Sequence, residues 1–243
     1  TRFIIDQVGK GCGPMREYEA VVFDMDGVIF DSEKKVVECW QVLADKYGFT
    51  GIEEACRACL GTTKEKSKEI MLQRYGEDFP YETYSAEASK LFHERYDGGR
   101  LPKKTGIEKI LQALSQEGKK IALASSTRRQ TVESQLREAG LIGYFDKIIC
   151  GDMVEKSKPE PDIYIRACKE LGVLPEQAYA IEDSYNGIRS AYRAGMRPIM
   201  VPDMVPPDEE MRKLACMIKE DLSQVCRAII EDEKKPQEGT IHD

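Results

Sequence analysis

Short apolar runs recur along most of this chain, and most of them lead directly into polar residues. The first run, Ala20-Val21-Val22-Phe23, breaks into Asp24-Met25-Asp26-Gly27, and its β-branched and aromatic residues predict a buried strand. From Ile107 onward, helical periods alternate with further apolar runs at 120–124, 147–150, 178–181 and 198–201. This alternation predicts βαβ units with right-handed crossovers, so the expected fold class is α/β with a doubly wound parallel sheet.

The segment that follows the first run has a different pattern. Residues 33–100 show helical periods separated by turn signals at Gly48, Gly61 and Gly76 and closed by Gly98-Gly99. Nothing in this segment has the alternation of a strand. We therefore expect an all-helical insertion that lies as a cap over the edge of the sheet.

These patterns predict a core interrupted by one insertion. The core is expected at residues 15–31 and 101–232, where 207–232 would form a last helical layer; the cap is expected at 32–100 and the tails at 1–14 and 233–243. The polar composition of the second tail is typical of disorder. Neither tail is assigned a function.

The charge of the chain limits its possible partners. The net charge is -7 over 243 residues, and no basic run interleaved with aromatic residues is present, which argues against a nucleic acid or an anionic membrane as partner. No apolar run of about 18 residues occurs, and the N-terminus lacks the order of a signal peptide. We expect a soluble, cytoplasmic protein.

The numbers of cysteines and histidines limit the kinds of active site that this chain can form. The eight cysteines stand at irregular positions, unlike the dense cysteine pattern of small secreted domains, so we expect reduced thiols. With only two histidines, His93 and His242, histidine-rich metal sites and histidine-centred triads are hard to build. The chemistry of this chain is therefore expected to depend on carboxylates.

Two acidic pairs follow two of the predicted strands. Asp24 and Asp26 come after the first run, and Glu182 and Asp183 come after the run at 178–181. In a parallel sheet both pairs would lie at the carboxyl ends of the strands, where ligands bind. Crowded carboxylates need a cation, and Mg²⁺ prefers oxygen ligands. We predict a magnesium site from Asp24, Asp26, Glu182 and Asp183, although Asp24 and Asp26 alone could simply cap a turn.

Candidate phosphate-binding groups follow other strands. Lys158 precedes two prolines that restrict its loop, and it would compensate the acidic residues. Ser125, with Ser126 beside it, ends the run at 120–124 before a predicted helix, where free amides favour anions. We predict that Ser125 and Ser126 bind phosphate together with Lys158. Thr127 is expected to cap the helix.

Together these groups indicate phosphoryl transfer. An aspartate can attack phosphorus once Mg²⁺ and a lysine mask the repelling negative charge. Asp24 is the predicted nucleophile and Asp26 the predicted general acid and then general base. Asp24, Asp26 and Lys158 are the predicted catalytic residues.

Four motifs resemble those of the haloacid dehalogenase superfamily, specifically its β-phosphoglucomutase-like branch. The resemblance extends from about Tyr18 to Val201. The motifs are Phe23-Asp24-Met25-Asp26-Gly27-Val28, Ala122-Leu123-Ala124-Ser125-Ser126, Lys158-Pro159-Glu160-Pro161-Asp162, and Ile181-Glu182-Asp183-Ser184 with Gly187 and Ala194-Gly195-Met196. One such motif is weak evidence, but four in family order and spacing are strong evidence.

The resemblance implies a Rossmann-like core, a helical cap inserted after the first motif, Mg²⁺, and Asp24 as nucleophile. Dehalogenase members lack the second aspartate, which is present here as Asp26. The resemblance also suggests that Thr62 and Lys64 in the cap face the substrate. A solvated lysine at a helix start is an equally good interpretation of Lys64.

Val36 stands where the mutase members of this branch carry a histidine. We therefore favour a phosphatase of a small phosphorylated metabolite, such as a sugar phosphate or phosphoglycolate, over a phosphomutase. The alternative from another class of protein is a signalling module that accepts a phosphoryl group on an aspartate. The expected partner is a small phosphate ester, with no nucleic acid and no membrane, and the expected state is a monomer or weak homodimer.

Overall fold

A parallel sheet forms the centre of the molecule. The structure, a computed structural model, describes residues 17–59 and 64–231. Within these residues the strands are β1 (Ala20–Phe23), β2 (Lys120–Ser125), β3 (Lys147–Cys150), β4 (Ala178–Glu182), β5 (Arg197–Met200) and β6 (Met217–Ile218). They are all parallel and lie in the order β3-β2-β1-β4-β5-β6. The predicted α/β fold with a doubly wound sheet is confirmed.

Strand β1 is buried on both faces of the sheet. Val21 and Phe23 pack in one apolar cluster, whereas Ala20 and Val22 pack in another on the opposite face. Side chains alternate between the faces of a strand, so a strand covered on both sides must be apolar throughout. This explains why the sequence shows a continuous apolar run here.

Helices surround the sheet and also form the insertion after β1. They are α1 (Ser32–Tyr47), α2 (Ile52–Cys59), α3 (Lys64–Tyr75), α4 (Tyr81–Tyr96), α5 (Ile107–Gln116), α6 (Arg129–Glu138), α7 (Asp162–Leu171), α8 (Tyr185–Arg193), α9 (Glu209–Leu214) and α10 (Leu222–Cys226), followed by a π-helical turn at Arg227–Glu231. The helical insertion comprises α1 to α4 and contains no strand within its described residues.

The helical insertion has its own apolar core. Trp40 of α1, Phe79, and Tyr84 of α4 are buried in it, with Phe49 packed against them. The Tyr84 hydroxyl donates a hydrogen bond to the Trp40 carbonyl at 2.7 Å, which joins α4 to α1. The insertion thus has an apolar core separate from those that cover the sheet.

One strand was not expected. Residues 207–232 were predicted to be helical, and α9 and α10 confirm most of this, but β6 lies between them and pairs Met217 with Ile199. Two residues are too short to show a period of two in the sequence. These two residues form a strand because they pair with the edge of β5.

The oxidation state of the cysteines agrees only in part with the expectation of reduced thiols. Cys39, Cys56, Cys59, Cys150, Cys168 and Cys226 are free thiols, as expected. Cys216 is disulfide-bonded, so the expectation of reduced thiols is wrong for this residue.

No helix within the described ranges has both the length and the apolarity needed to cross a bilayer.

The chain reverses direction across the sheet at β1. From β1 the sheet grows through β2 and β3 on one side and through β4, β5 and β6 on the other. The crevice at such a reversal, beyond the carboxyl ends of the strands, is where α/β folds bind ligands. The acidic pairs after β1 and β4 meet there.

Candidate active site

The carboxylates of Asp24, Glu182 and Asp183 are buried at the carboxyl ends of β1 and β4. Pairing of Phe23 with Ile181 places these two strand ends side by side. The Asp24 backbone N–H extends the pairing by donating to the Ile181 carbonyl at 2.9 Å. Asp24 is 7% exposed, Glu182 0% and Asp183 3%. Three acidic groups therefore share one water-poor site.

Lys158 joins two of these carboxylates. Its Nζ donates to Asp24 Oδ1 and to Glu182 Oε1, both at 2.6 Å, and to the Ala124 carbonyl at 2.9 Å. The Tyr164 hydroxyl donates to the same Glu182 oxygen at 2.6 Å. The Lys158 ammonium thus has a defined position at the ends of β1, β2 and β4.

The electrostatics of the site follow from this burial. Burial raises the pKa of Asp24 to about 7, because the pull of Lys158 in the opposite direction is offset by Glu182 and Asp26. Burial alone would lower the pKa of Lys158, but attraction to Asp24 and Glu182 raises it above its usual range. Lys158 therefore stays positively charged. Asp24 would need a further positive charge nearby to be fully ionised at neutral pH.

The acidic cluster fits a divalent cation. Asp24, Glu182 and Asp183 each offer an oxygen, and these oxygens lie within 4.8 Å of one another. Burial, followed by the negative charges of Glu33 and Glu182, raises the pKa of Asp183 well above its usual range. Three carboxylates against one lysine leave an excess of negative charge that a hard cation with oxygen ligands would neutralise.

Two glycines allow the backbone to approach these carboxylates. A Cβ on Gly27 would lie 2.1 Å from Asp183 Oδ2, and a Cβ on Gly187 would lie 1.9 Å from the Glu182 carboxyl carbon. Gly27 also has φ +75°, which strongly favours glycine. Both positions require glycine because a methyl group would displace a carboxylate of the site.

Asp26 lies beside the cluster and is held at both oxygens. The Ser32 hydroxyl donates to Oδ1 at 2.7 Å, and the Thr127 hydroxyl donates to Oδ2 at 2.9 Å. Asp26 lines the same cavity as Asp24. Its carboxyl group is thus held in one orientation beside the Asp24 carboxylate.

Ser125, the last residue of β2, and the two residues that follow it have different surroundings. Ser125 is fully buried, and its Oγ accepts a hydrogen bond from the Thr127 N–H at 3.1 Å. Ser126 and Thr127 line the cavity, but Ser125 does not. The expectation that Thr127 caps the next helix is wrong, because α6 begins after Arg128 and its N-cap uses no side chain. The Thr127 hydroxyl instead binds Asp26.

A cavity of about 420 Å³ separates these groups from the helical insertion. Its floor includes Asp24, Asp26, Lys158 and Asp183. Its roof is largely apolar and comes from the helical insertion: Val36, Val37 and Trp40 of α1, Cys56 of α2, Met71 of α3 and Tyr81 of α4. Val36, where the resemblance expects a histidine in mutases, therefore lies in this cavity.

Of the two residues predicted in the cap to contact the substrate, the structure describes only Lys64. Thr62 lies outside the described residues. Lys64 begins α3, is exposed and is not among the residues that line the cavity. Substrate contact by Thr62 and Lys64 remains a prediction.

Sequence reasoning missed Ser32, Glu33 and Asp203. Glu33 lines the cavity, and burial, followed by repulsion from Asp26 and Asp203, raises its pKa to about 8. Oxygens of Glu33, Asp183 and Asp203 also lie within 4.8 Å of one another. Asp203 follows β5, so the rule that identified the other strand ends could have found it. Ser32 and Glu33 carry no comparable signal because they open an ordinary helix.

Comparison with known proteins agrees with this geometry. Residues 21–201 match the family described as haloacid dehalogenase-like hydrolase. A phosphorylated carbohydrates phosphatase of Thermotoga maritima is 32% identical over 74% of this chain and 83% of its own length. A β-phosphoglucomutase of Bacillus subtilis is 33% identical over 73% of this chain and 80% of its own length.

Solved structures show the same fold. The crystal structure of a haloacid dehalogenase family hydrolase from Deinococcus radiodurans, with bound phosphate and sodium, superposes with a TM-score of 0.73. The match has 26% sequence identity and covers 89% of this chain and 96% of that one. With the family match across both acidic pairs and Lys158, the chain belongs to the haloacid dehalogenase-like hydrolases and is an enzyme of the phosphoric monoester hydrolase class.

Proposed function

We propose that this enzyme is a Mg²⁺-dependent phosphatase that hydrolyses a small phosphorylated metabolite through an aspartyl phosphate on Asp24. One observation carries the proposal: Asp24 and Asp26 face one cavity, while Lys158 holds Asp24 and not Asp26. The two carboxyl groups, two residues apart, thus have different partners. This difference supports the assignment of a nucleophile and a proton carrier.

The donor set supports Mg²⁺ as the cation. Asp24, Asp183 and the Asp26 backbone carbonyl would hold it, with Glu182 beside them. When bound, Mg²⁺ supplies positive charge that keeps the carboxylates ionised and polarises the phosphate. Lys158 provides part of the same compensation from the side of Glu182.

Asp24 would act as the nucleophile. Its Oδ2 is the candidate attacking atom, because Oδ1 is bound to Lys158. Attack forms the Oδ2–P bond and breaks the bond between phosphorus and the ester oxygen, so the phosphoryl group moves to Asp24. Ser126, in the cavity lining, and Ser125 beneath it are the proposed phosphate-binding residues, with Lys158.

Asp26 would carry the proton in both halves of the reaction. In the first half its carboxyl proton passes to the leaving alkoxide, which departs as an alcohol. In the second half the Asp26 carboxylate takes a proton from the attacking water. That water cleaves the Oδ2–P bond, which releases inorganic phosphate and restores Asp24.

The substrate class and setting are part of the same proposal. The Thermotoga maritima relative, named as a phosphatase of phosphorylated carbohydrates, supports a sugar phosphate or similar metabolite as substrate. We assign residues 15–31 and 101–232 to the catalytic core and 32–100 to a cap that carries Thr62 and Lys64. A cytoplasmic location is supported by six described cysteines that are not in disulfides, although Cys216 is disulfide-bonded. We propose a monomer or weak homodimer.

The test is phosphate release from a panel of sugar phosphates, phosphoglycolate and p-nitrophenyl phosphate, with Mg²⁺ or with a chelator. Asp24→Asn and Asp26→Asn should each lower kcat by about 100-fold or more, since each removes a reacting group. Asp78→Asn changes an exposed aspartate of the helical insertion and should leave activity intact.

Other outcomes would contradict the proposal. Release that is unchanged by the chelator would exclude the metal. Isomerisation of a sugar phosphate without net phosphate release would establish the phosphomutase, and a stable phosphoprotein without turnover would establish the signalling module.

A further inference from the structure

We infer that the substrate of this site is a monophosphate whose leaving group is uncharged and has a hydrocarbon or aromatic face. This inference rests on the proposed phosphatase function and adds the class of leaving group. It excludes bisphosphates and other esters with a second anionic group, and therefore also phosphoglycolate, from the substrates considered under the proposed function.

The roof offers apolar surface to the leaving group. Val36 is 40% exposed and lines the cavity. The lining also includes Trp40, Met71 and Tyr81, whose side chains are otherwise buried in the apolar core of the helical insertion. A leaving group that reaches the roof therefore meets the edge of an apolar core.

The cavity has no cation for a second phosphate. Among the described residues that line it, Lys158 alone is basic. Its ammonium already contacts Asp24 and Glu182 at 2.6 Å, on the floor of the cavity. Residues 60–63, between α2 and α3, are Leu, Gly, Thr and Thr, so this segment contributes no ionisable side chain.

Three further basic residues, Lys34, Lys35 and Arg57, are engaged in other contacts, and Lys64, exposed at the start of α3, is not among the residues that line the cavity. Lys34 binds Asp203 at 2.6 Å, and Lys35 binds Glu38 at 2.5 Å. The Arg57 guanidinium donates to the Met204 carbonyl and pairs with Glu53, both at 2.8 Å. None of these side chains is part of the cavity lining.

An additional acidic group lies where a second anion would have to fit. Glu33 lines the cavity together with Asp26 and Asp183. A second phosphate on the substrate would face these carboxylates and an apolar roof. Burial of an anionic group without a cation beside it is strongly unfavourable. Hydroxyl groups, in contrast, can donate to Glu33.

The experiment compares alkyl phosphates that share one leaving-group chemistry. Ethyl, butyl and hexyl phosphate should show kcat/KM that rises about three- to four-fold for each methylene buried against the roof. Hexane-1,6-diol bisphosphate should have kcat/KM about 100-fold below that of hexyl phosphate, because its second phosphate finds no cation.

Two valines of α1 provide a matched pair of variants. Val36 lines the cavity, whereas Val42 is similarly exposed, at 38%, and lies outside the lining. Val36→Lys should raise kcat/KM for the bisphosphate about ten-fold and lower it for hexyl phosphate. Val42→Lys should leave both values unchanged.

The outcomes separate this inference from the function on which it rests. Hydrolysis of the monoesters without a rise along the series, or equal use of the bisphosphate, would overturn the inference and leave the phosphatase standing. Failure to hydrolyse any ester in the presence of Mg²⁺ would overturn the phosphatase and the inference with it.

Discussion

The Thr127 hydroxyl donates a hydrogen bond to Asp26 Oδ2 at 2.9 Å, although the two residues are 101 positions apart in the chain. Parallel pairing of β1 with β2, which sets Phe23 beside Leu123, brings the two loops together. Ser32 holds the other Asp26 oxygen at 2.7 Å. Asp26 is thus fixed from two separate elements before any substrate binds.

Thr127→Val should lower kcat with little change in KM. The substitution keeps the shape of the side chain but removes the donor, and hydrogen bonds to charged groups contribute about 1.5–3 kcal/mol. The expected loss in kcat is about ten- to 100-fold, measured by steady-state kinetics.

Thr127→Ser is the control, because it keeps the hydroxyl and should retain most of the activity. A kcat within two-fold of the parent enzyme would show that Thr127 does not position Asp26.

Lys158→Met should lower both activity and stability. It leaves Asp24 and Glu182 buried without their shared cation. Breaking such a buried pair from one side costs about 3–5 kcal/mol. Urea unfolding of the metal-free protein measures this loss, and Lys156→Met, which changes an exposed lysine two residues earlier, should cost almost nothing. Equal unfolding midpoints for the two variants would contradict the role of Lys158.

Gly27→Ala should abolish activity and metal binding, whereas Gly48→Ala should not. Both glycines have nearly the same positive φ, +75° and +78°, so the backbone strain of about 1–2 kcal/mol is common to both. Only at Gly27 would the new methyl group clash with Asp183; at Gly48 nothing lies within 4 Å. Calorimetric titration with Mg²⁺ and a kinetic assay measure the difference. Similar losses in the two variants would show that strain alone is responsible.

The metal-free protein should become less stable as the pH rises from about 4 to 7. The native state keeps a proton on Asp24 up to a pKa of about 7, whereas the unfolded chain releases it near 3.8. The unfolded state thus binds fewer protons in this interval, so the free energy of unfolding falls with pH.

Mg²⁺ binds the ionised carboxylates, so its stabilising effect should grow over the same interval. Thermal unfolding at pH 5 to 8, with Mg²⁺ or a chelator, measures both effects. In Asp24→Asn the part of the pH dependence that comes from Asp24 should disappear. A shift in Tm on adding Mg²⁺ that is the same at pH 5 and pH 8 would contradict this account.

The local pattern of the sequence was sufficient for the α/β fold class and for most strand-end residues, although it missed β6 and Asp203. The apolar runs that became β1 to β5 are buried on both faces, so they are recognisable without knowledge of their neighbours. Their order along the chain, with helices between them, implies a parallel sheet. The sequence also shows where each apolar run stops, and this point is the carboxyl end of the strand. The polar residues at these points could therefore be identified from the sequence: Asp24, Ser125, Glu182 and Asp183.

What the sequence by itself determined is therefore the set of residues at the sheet edge and the family to which the chain belongs. The tertiary structure decided how they are connected: that Thr127 binds Asp26 rather than capping α6, and that Glu33 and Val36 face the catalytic floor. These relationships depend on how β1 meets β2 and on where α1 lies above the sheet. Contacts between elements distant in the chain leave no period in the sequence, so only the folded arrangement reveals them.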